Sequence, residues 1–255
     1  MVFYEPGKTD HGLPSDPFKA CVIPRPIGWI STLSPTGAAN LAPYSQFNNL
    51  TFDPPYVMFS GNQTTTGERK DSVRNAESTG VFCWSLATWD LRSEVNITSE
   101  QVEYGVDEFE RAGLEVRDSV LDELAIEVVS KDGKKEKKRV PMVKRSPINF
   151  ECVYYSTLRL PGNKPMGSVD VVVGRVIGIH IDESVLTDGR IDVAKTVPIA
   201  RCGYAQYTAV REVFEMLPPG SNPLLLAGLE GSVKKHRILA NGATEEDAGK
   251  VEPPK

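Results

Sequence analysis

Apolar and polar residues alternate over short stretches in the first half of the chain, and Pro, Gly, Asn or Asp bounds each stretch. Residues 18–23, 27–34, 55–60 and 80–86 are of this kind. Short runs rich in β-branched and aromatic residues between turn formers predict strands, and their close spacing predicts a barrel or sandwich. Residues 72–78, after Lys70-Asp71, read as a short helix, and 90–98 and 106–112 as two further helical pieces. The stretch from about 88 to 145 is therefore expected to be a helical insertion packed on the barrel.

The strand pattern resumes at 148–156 and 168–181. In the second of these, Val169, Val171, Val173, Ile177 and Ile179 share one face and Arg175 interrupts it. The other face carries Gly174, Gly178 and His180. Glycines inside a strand weaken it, so they point to a bend or to close approach by another backbone or a ligand. His180 is expected to cap its strand, with reach to a ligand as the alternative. Asp188-Gly189 signals a turn. One domain over 1–217 is expected, followed by a polar, partly mobile tail over 218–255 that Pro218-Pro219-Gly220 introduces.

An apolar fraction of 40% and a charged fraction of 25% exclude a disordered chain or a fibrous repeat. The net charge of -5 gives no chain-wide attraction for nucleic acid or anionic lipid. No apolar run approaches the ~18 residues that span a bilayer, and the first residues lack the basic and apolar regions of a signal peptide. Cytoplasm is the expected compartment. Cys21, Cys83, Cys152 and Cys202 form no C-x-x-C pair, so reduced, partly buried thiols are expected rather than a metal site. The run from Lys131 to Arg139 has six basic and two acidic side chains and no apolar one. It is expected to be a solvated loop or hairpin tip, an anion patch being the alternative.

The informative block lies between Pro24 and Asn75. Ser45, Gln46, Phe47 and Asn48 place hydroxyl and amide groups around one aromatic ring between apolar strands. Such groups either satisfy backbone at a strand end or meet the polar edge of a planar heterocycle. Lys70 and Ser72 flank Asp71, which can cap a helix whose free N–H groups favour an anion. Trp29 and Trp84 are expected in the core, the alternative being stacking on a ring.

Four segments occur here in one order: R-P-I-G-W-I-S-T from Arg25, N-L-A-P-Y-S-Q-F-N from Asn40, D-P-P from Asp53 and R-K-D-S from Arg69. In order and spacing they resemble the flavin reductase-like, FMN-binding split-barrel family, above all its flavoredoxin-like branch. The stretch V-D-E-F-E-R-A-G-L from Val106 is similar to the family's as well. The resemblance implies a mainly β fold with helical insertions, an FMN-binding split β-barrel assembled as a homodimer. It implies that Ser31 and Thr32 lie beside the flavin, that Ser45, Gln46, Phe47 and Asn48 meet its ring, and that Ser60, Arg69, Lys70 and Ser72 surround the phosphate. The implied activity is NAD(P)H-dependent flavin reduction with hydride transfer to N5, in service of a monooxygenase or an electron-transfer partner. The alternatives are an FMN-containing electron carrier and a module that holds a planar ligand without turnover. One departure bears on the donor: Val169 stands where NAD(P)H-dependent members of the family often carry a histidine.

Overall fold

The computed structural model describes residues 1–129 and 133–216, and beyond these only positions 219, 238, 241 and 242. The tail expected over 218–255 and the first two residues of the basic run thus fall outside the described residues, those four positions apart. Residues 18–23 form a single helical turn, α1 (Phe18–Cys21), rather than the expected strand. Asp16 Oδ1 accepts the Phe18 amide at 2.9 Å, which closes the turn locally. Strand preference measures fit to a half-buried pleated surface, and this exposed segment meets none.

Twelve strands follow in the part of the chain that builds the barrel: β1 (Arg25–Pro26), β2 (Gly28–Leu33), β3 (Ala39–Tyr44), β4 (Phe47–Phe52), β5 (Pro55–Asn62), β6 (Val81–Ser85), β7 (Val116–Asp118), β8 (Ala125–Val129), β9 (Lys135–Arg139), β10 (Pro141–Val143), β11 (Ile148–Leu160) and β12 (Val169–Ile181). Seven of them make one antiparallel sheet in the order β3-β2-β6-β11-β12-β5-β4. Its two edges, β3 and β4, are consecutive in the chain, with Ser45 and Gln46 between them. Three Cα steps reach at most about 11 Å, whereas seven flat strands would hold their edges about 29 Å apart. The sheet must therefore curl until its edges meet. They meet without a ladder, so the barrel has a seam, and Ser60 N–H donating to the Gln46 carbonyl at 2.9 Å continues the β4–β5 pairing up to it.

Aromatic rings fill the interior. Phe47 stacks on Trp84 with centroids 5.4 Å apart and planes 5° apart, and Trp84 meets Phe150 at 4.5 Å. A Cβ on Gly28 would lie 2.6 Å from the Phe47 ring, so β2 can pass this ring only as glycine. Trp84 Nε1 donates to the Ile27 carbonyl at 3.0 Å and the fully buried Trp29 donates to Thr98 Oγ1 at 2.9 Å. Both tryptophans are core residues, as expected.

On β12 a register shift between the Glu151 and Cys152 pairs separates the two glycines expected on one face: Gly174 faces the barrel interior and Gly178 the opposite side. A Cβ on Gly174 would meet the Phe82 ring at 2.3 Å, and one on Gly178 would meet Leu121 at 3.0 Å and Glu151 at 3.2 Å. The close approach that these glycines signal thus comes from the chain's own side chains. His180 shares the Gly178 side: its Nε2 lies 2.6 Å from Glu151 Oε1, and the fully buried Glu151 also accepts the Val120 and Leu121 amides. Apolar groups stay in solvent on both long strands, among them Tyr155 and Leu158 of β11 and Ile179 of β12, each more than half exposed.

The segment from 88 to 145 is helical only in its first part, which includes α3 (Arg92–Ile97) and α4 (Glu108–Arg111) in our numbering. Helix α2 (Asp71–Thr79) precedes it. Past Val116 the segment turns to strands, β7 pairing with β10 and β8 with β9. The described part of the basic run forms β9, an exposed hairpin arm on which Lys135 pairs with Glu127. All four cysteines are free, Cys83 and Cys152 buried and Cys21 exposed.

Arg69 clamps α2 to the barrel. Its guanidinium grips Glu77 at 2.6 and 2.7 Å and donates to Asp170 at 2.9 Å, and Arg159 reaches the same carboxylate at 2.7 Å. Burial would raise the Asp170 carboxyl, but the hydrogen bonds from Arg159 and Arg69 outweigh it and hold the group below the usual 3.8. A carboxyl depressed on folding adds stability above its unfolded pKa and loses it as pH falls through the folded one. Asp170→Asn should therefore cost about 3 kcal/mol at neutral pH, since it leaves two guanidiniums short of their partner. In urea denaturation that gap should close as pH drops below 3.8; a gap indifferent to pH would sink the electrostatic account.

Candidate functional site

A cavity of about 410 Å³ opens between β3, the loop after β5, the first turn of α2 and the loop after α3. Sites for small molecules span about 300–1,000 Å³. Ala42, Pro43 and Tyr44 of β3 line one side, and Thr64, Thr66 and Glu68 of the loop after β5 another. From the far side come residues 98–104, which Gln101 Nε2 ties to Thr65 Oγ1 at 3.4 Å. Tyr104 is fixed on the same loop, because the Arg74 guanidinium covers its ring at 4.4 Å and its hydroxyl reaches Asn75 Oδ1 at 3.2 Å.

Helix α2 points its N-terminus into this space. Lys70, not Asp71, occupies the N-cap position in an extended conformation and offers no side-chain acceptor; Asp71 is the first helical residue. Val73 N–H turns back to the Lys70 carbonyl at 3.1 Å, so the Asp71 and Ser72 N–H groups are left for solvent or a ligand, where the helix dipole favours negative charge. Among the described residues no carboxylate comes within 4.0 Å of Lys70 Nζ. Burial pushes this half-buried ammonium below its usual range, while the Asp71 charge acts the other way. A desolvated cation at an open helix start is complementary to an anion.

Beneath the cavity Asn40 gathers a polar network. Its Oδ1 accepts from Ser72 Oγ at 2.8 Å and Thr32 Oγ1 at 3.2 Å, and Asn75 Nδ2 donates to Thr32 Oγ1 at 3.1 Å. Its Nδ2 donates to both oxygens of the buried Glu108, which also accepts the Leu41 amide at 2.9 Å. Burial raises the Glu108 carboxyl, partly offset by the Leu41 hydrogen bond. Burial likewise raises Asp71, against the pull of Arg74 and Lys70. Tyr44 is raised beyond the usual phenol range by burial, with the Ser72 hydrogen bond opposing. The network fixes β3 to α2 and α4, and so fixes the cavity's shape.

Of the residues singled out in the sequence, Lys70 and Ser72 line this cavity. Ser45, Gln46, Phe47 and Asn48 sit at the barrel seam, just past the Tyr44 that does line it. Phe47 is buried in the Trp84 stack, and Ser60 of β5 bonds Gln46 through its backbone, beside the seam. Ser31 and Thr32 are fully buried with their hydroxyls engaged, Ser31 on the Pro141 carbonyl at 2.5 Å and Thr32 in the Asn40 network. Arg69 is held by Glu77 and Asp170. Sequence reasoning missed Asn40, Glu108 and the 98–104 loop. The first two stood inside segments already noticed, and a buried acid at the start of an amphipathic turn was the available signal.

The lining combines a cation and free amides at α2 with hydroxyls at Thr64, Thr66 and Ser99 and apolar β3 atoms, a donor set that matches a phosphorylated planar molecule. Comparison with known proteins bears on the fold. The component B of nitrilotriacetate monooxygenase from Bacillus cereus superposes with a TM-score of 0.71 at 28% identity, over 85% of this chain and 98% of that one. Flavoredoxin from Methanosarcina acetivorans shares the fold, with a TM-score of 0.59 at 18% identity over 76% and 88% of the two chains. The uncharacterized protein YwrF of Bacillus subtilis is 30% identical over 200 residues, 78% of this chain and 89% of the relative. Residues 20–196 match the model of the flavin reductase like domain, most of the chain, and the protein belongs to that family.

Proposed function

We propose that the chain binds FMN in the cavity at the start of α2 and serves as an oxidoreductase that accepts electrons from NAD(P)H. The observation that carries this reading is Lys70: a half-buried ammonium without an ion-pair partner among the described residues, beside open helix amides. In this reading Lys70, the first-turn amides and Thr64 take the phosphate. The seam residues Ser45, Gln46 and Asn48, with Ser60, offer main-chain and side-chain groups to the ring edge. Ser31, Thr32 and Arg69 act from behind, holding β2, Asn40 and α2 in place, and Phe47 keeps the seam packed. Bound flavin supplies the hydride acceptor at its N5, so the protein's tasks are orientation, polarity and access.

An electron-carrier role is the second reading. It is favoured by Val169, which sits at the start of β12 opposite Asn62 and offers no polar contact to a nicotinamide. A relative that is component B of a monooxygenase supports an oxygenase as the downstream partner. A homodimer fits the apolar groups that β11 and β12 leave exposed, since Tyr155, Leu158 and Ile179 exceed what an isolated barrel needs in solvent.

Titration should show FMN binding more tightly than riboflavin. Lys70→Ala should weaken FMN about ten- to hundredfold by removing a charge-assisted hydrogen bond of about 1.5–3 kcal/mol, and leave riboflavin unchanged; equal losses for both would remove the phosphate from this site. For the donor, the FMN-loaded protein should bleach on anaerobic addition of NADH or NADPH. Bleaching by dithionite but by neither nucleotide within minutes would transfer the case to the carrier. As for assembly, light scattering should report a dimer that Ile179→Glu dissociates, whereas a monomeric wild type at micromolar concentration would refute it.

A further inference from the structure

A second cleft, of about 300 Å³, lies on the other flank of α3. Val95 and Asn96 of this helix line it, while Thr98 and Ser99, just beyond the helix, line the cavity described above. Val95 and Ile199 form its apolar floor, and Trp89 and Tyr207 stand as two flat walls. Guanidiniums cover these rings: Arg92 at 4.2 Å and Arg211 at 5.0 Å from the Trp89 centroid, and Arg201 at 4.6 Å from that of Tyr207.

Three cations over two neighbouring rings, in a chain of net charge -5, call for counter-charges that the described residues do not supply. Asp90 and Glu212 are sequence neighbours of the site, but among the described residues no carboxylate comes within 4.0 Å of Arg92, Arg201 or Arg211. Their intramolecular bonds go to carbonyls instead, Arg92 to that of Trp89 at 2.7 Å and Arg201 to that of Tyr204. Each retains donors for an outside anion.

The rim is also built at a cost. Val197 has φ +41° and Tyr204 φ +54°, two of the three non-glycine residues with positive φ among the described residues. A β-branched residue there is a strained one. Val197 thereby turns its carbonyl to the Trp89 amide at 2.9 Å, and Tyr204 turns its own to Arg201. Strain of this kind, about 1–3 kcal/mol a residue, persists where the surroundings enforce it and gathers at ligand clamps.

We propose that this cleft binds a planar aromatic molecule bearing a carboxylate or phosphate. Its ring lies against the apolar floor and the stacked guanidinium planes, and its anion takes the free donors of Arg92 and Arg211, whose forked geometry matches either group. The site is separate from the flavin cavity and does not rest on that assignment.

Four probes separate ring from charge: adenosine 5′-monophosphate, benzoate, adenosine and inorganic phosphate. The chain has three tryptophans, and Trp29 and Trp84 are buried, so quenching of tryptophan fluorescence reports on Trp89, with Trp89→Phe as the control for signal. At least one of the two ring-plus-anion probes should bind about tenfold or more tightly than adenosine and phosphate, and the tighter one identifies the anion's class. Arg92→Gln and the exposed Arg211→Gln should each weaken it about tenfold, with circular dichroism unchanged and FMN affinity untouched. The proposal is overturned if neither ring-plus-anion probe binds below 1 mM (roughly the weakest specific range), or if binding survives both substitutions in the folded protein.

Discussion

Everything in this molecule follows from the two residues that join opposite edges of its main sheet. Because Ser45 and Gln46 alone connect β3 to β4, the sheet has no choice but to curl, and curling gives it an inside. The aromatic rings of Phe47, Trp84, Phe150, Phe59 and Phe82 fill that inside. The same join leaves an unladdered seam whose β3 side runs directly into the cavity. Barrel closure and site formation are thus one event, and a chain that lengthened this connection would release both.

A second constraint is polar. Burying Asn40, Ser72, Asn75 and Glu108 together would be expensive if any were left unmatched. Each finds its partner on a different element: β2, β3, α2 and α4 all contribute. The outcome is a rigid base under the cavity, with one half-buried ammonium above it. Rigid base and unmatched cation differ in purpose: the first fixes geometry, the second awaits charge.

Much of this was legible in the sequence. Five of the seven strands of the main sheet, the helix after Lys70 and the two buried tryptophans follow from alternation and turn chemistry. The edge strands β3 and β4 were not expected, their polar Asn and Thr hiding the period. The helical turn at α1 was misread because alternation in an exposed segment has no face to bury. The strands between Val116 and Val143 were missed because they are short and mostly polar on the outside, so no period shows. Glycine signals in β12 announced close contact correctly, but a glycine cannot say who approaches, and here it is Phe82. Likewise Arg69 looked like a phosphate ligand. Its arginine chemistry suits that role, but in the structure two carboxylates hold it, Glu77 eight residues on and Asp170 on the distant β12.

Gly28 sits under the Phe47 ring that stacks on Trp84. Any side chain at position 28 displaces that ring, and displacing it unpacks the barrel at its seam, next to the cavity. Positions 28 and 47 are consequently one variable and not two. Across descendants of this sequence, a larger residue at 28 is admissible only where 47 has already shrunk, and the lineage that took that path would trade the aromatic stack for an altered pocket mouth.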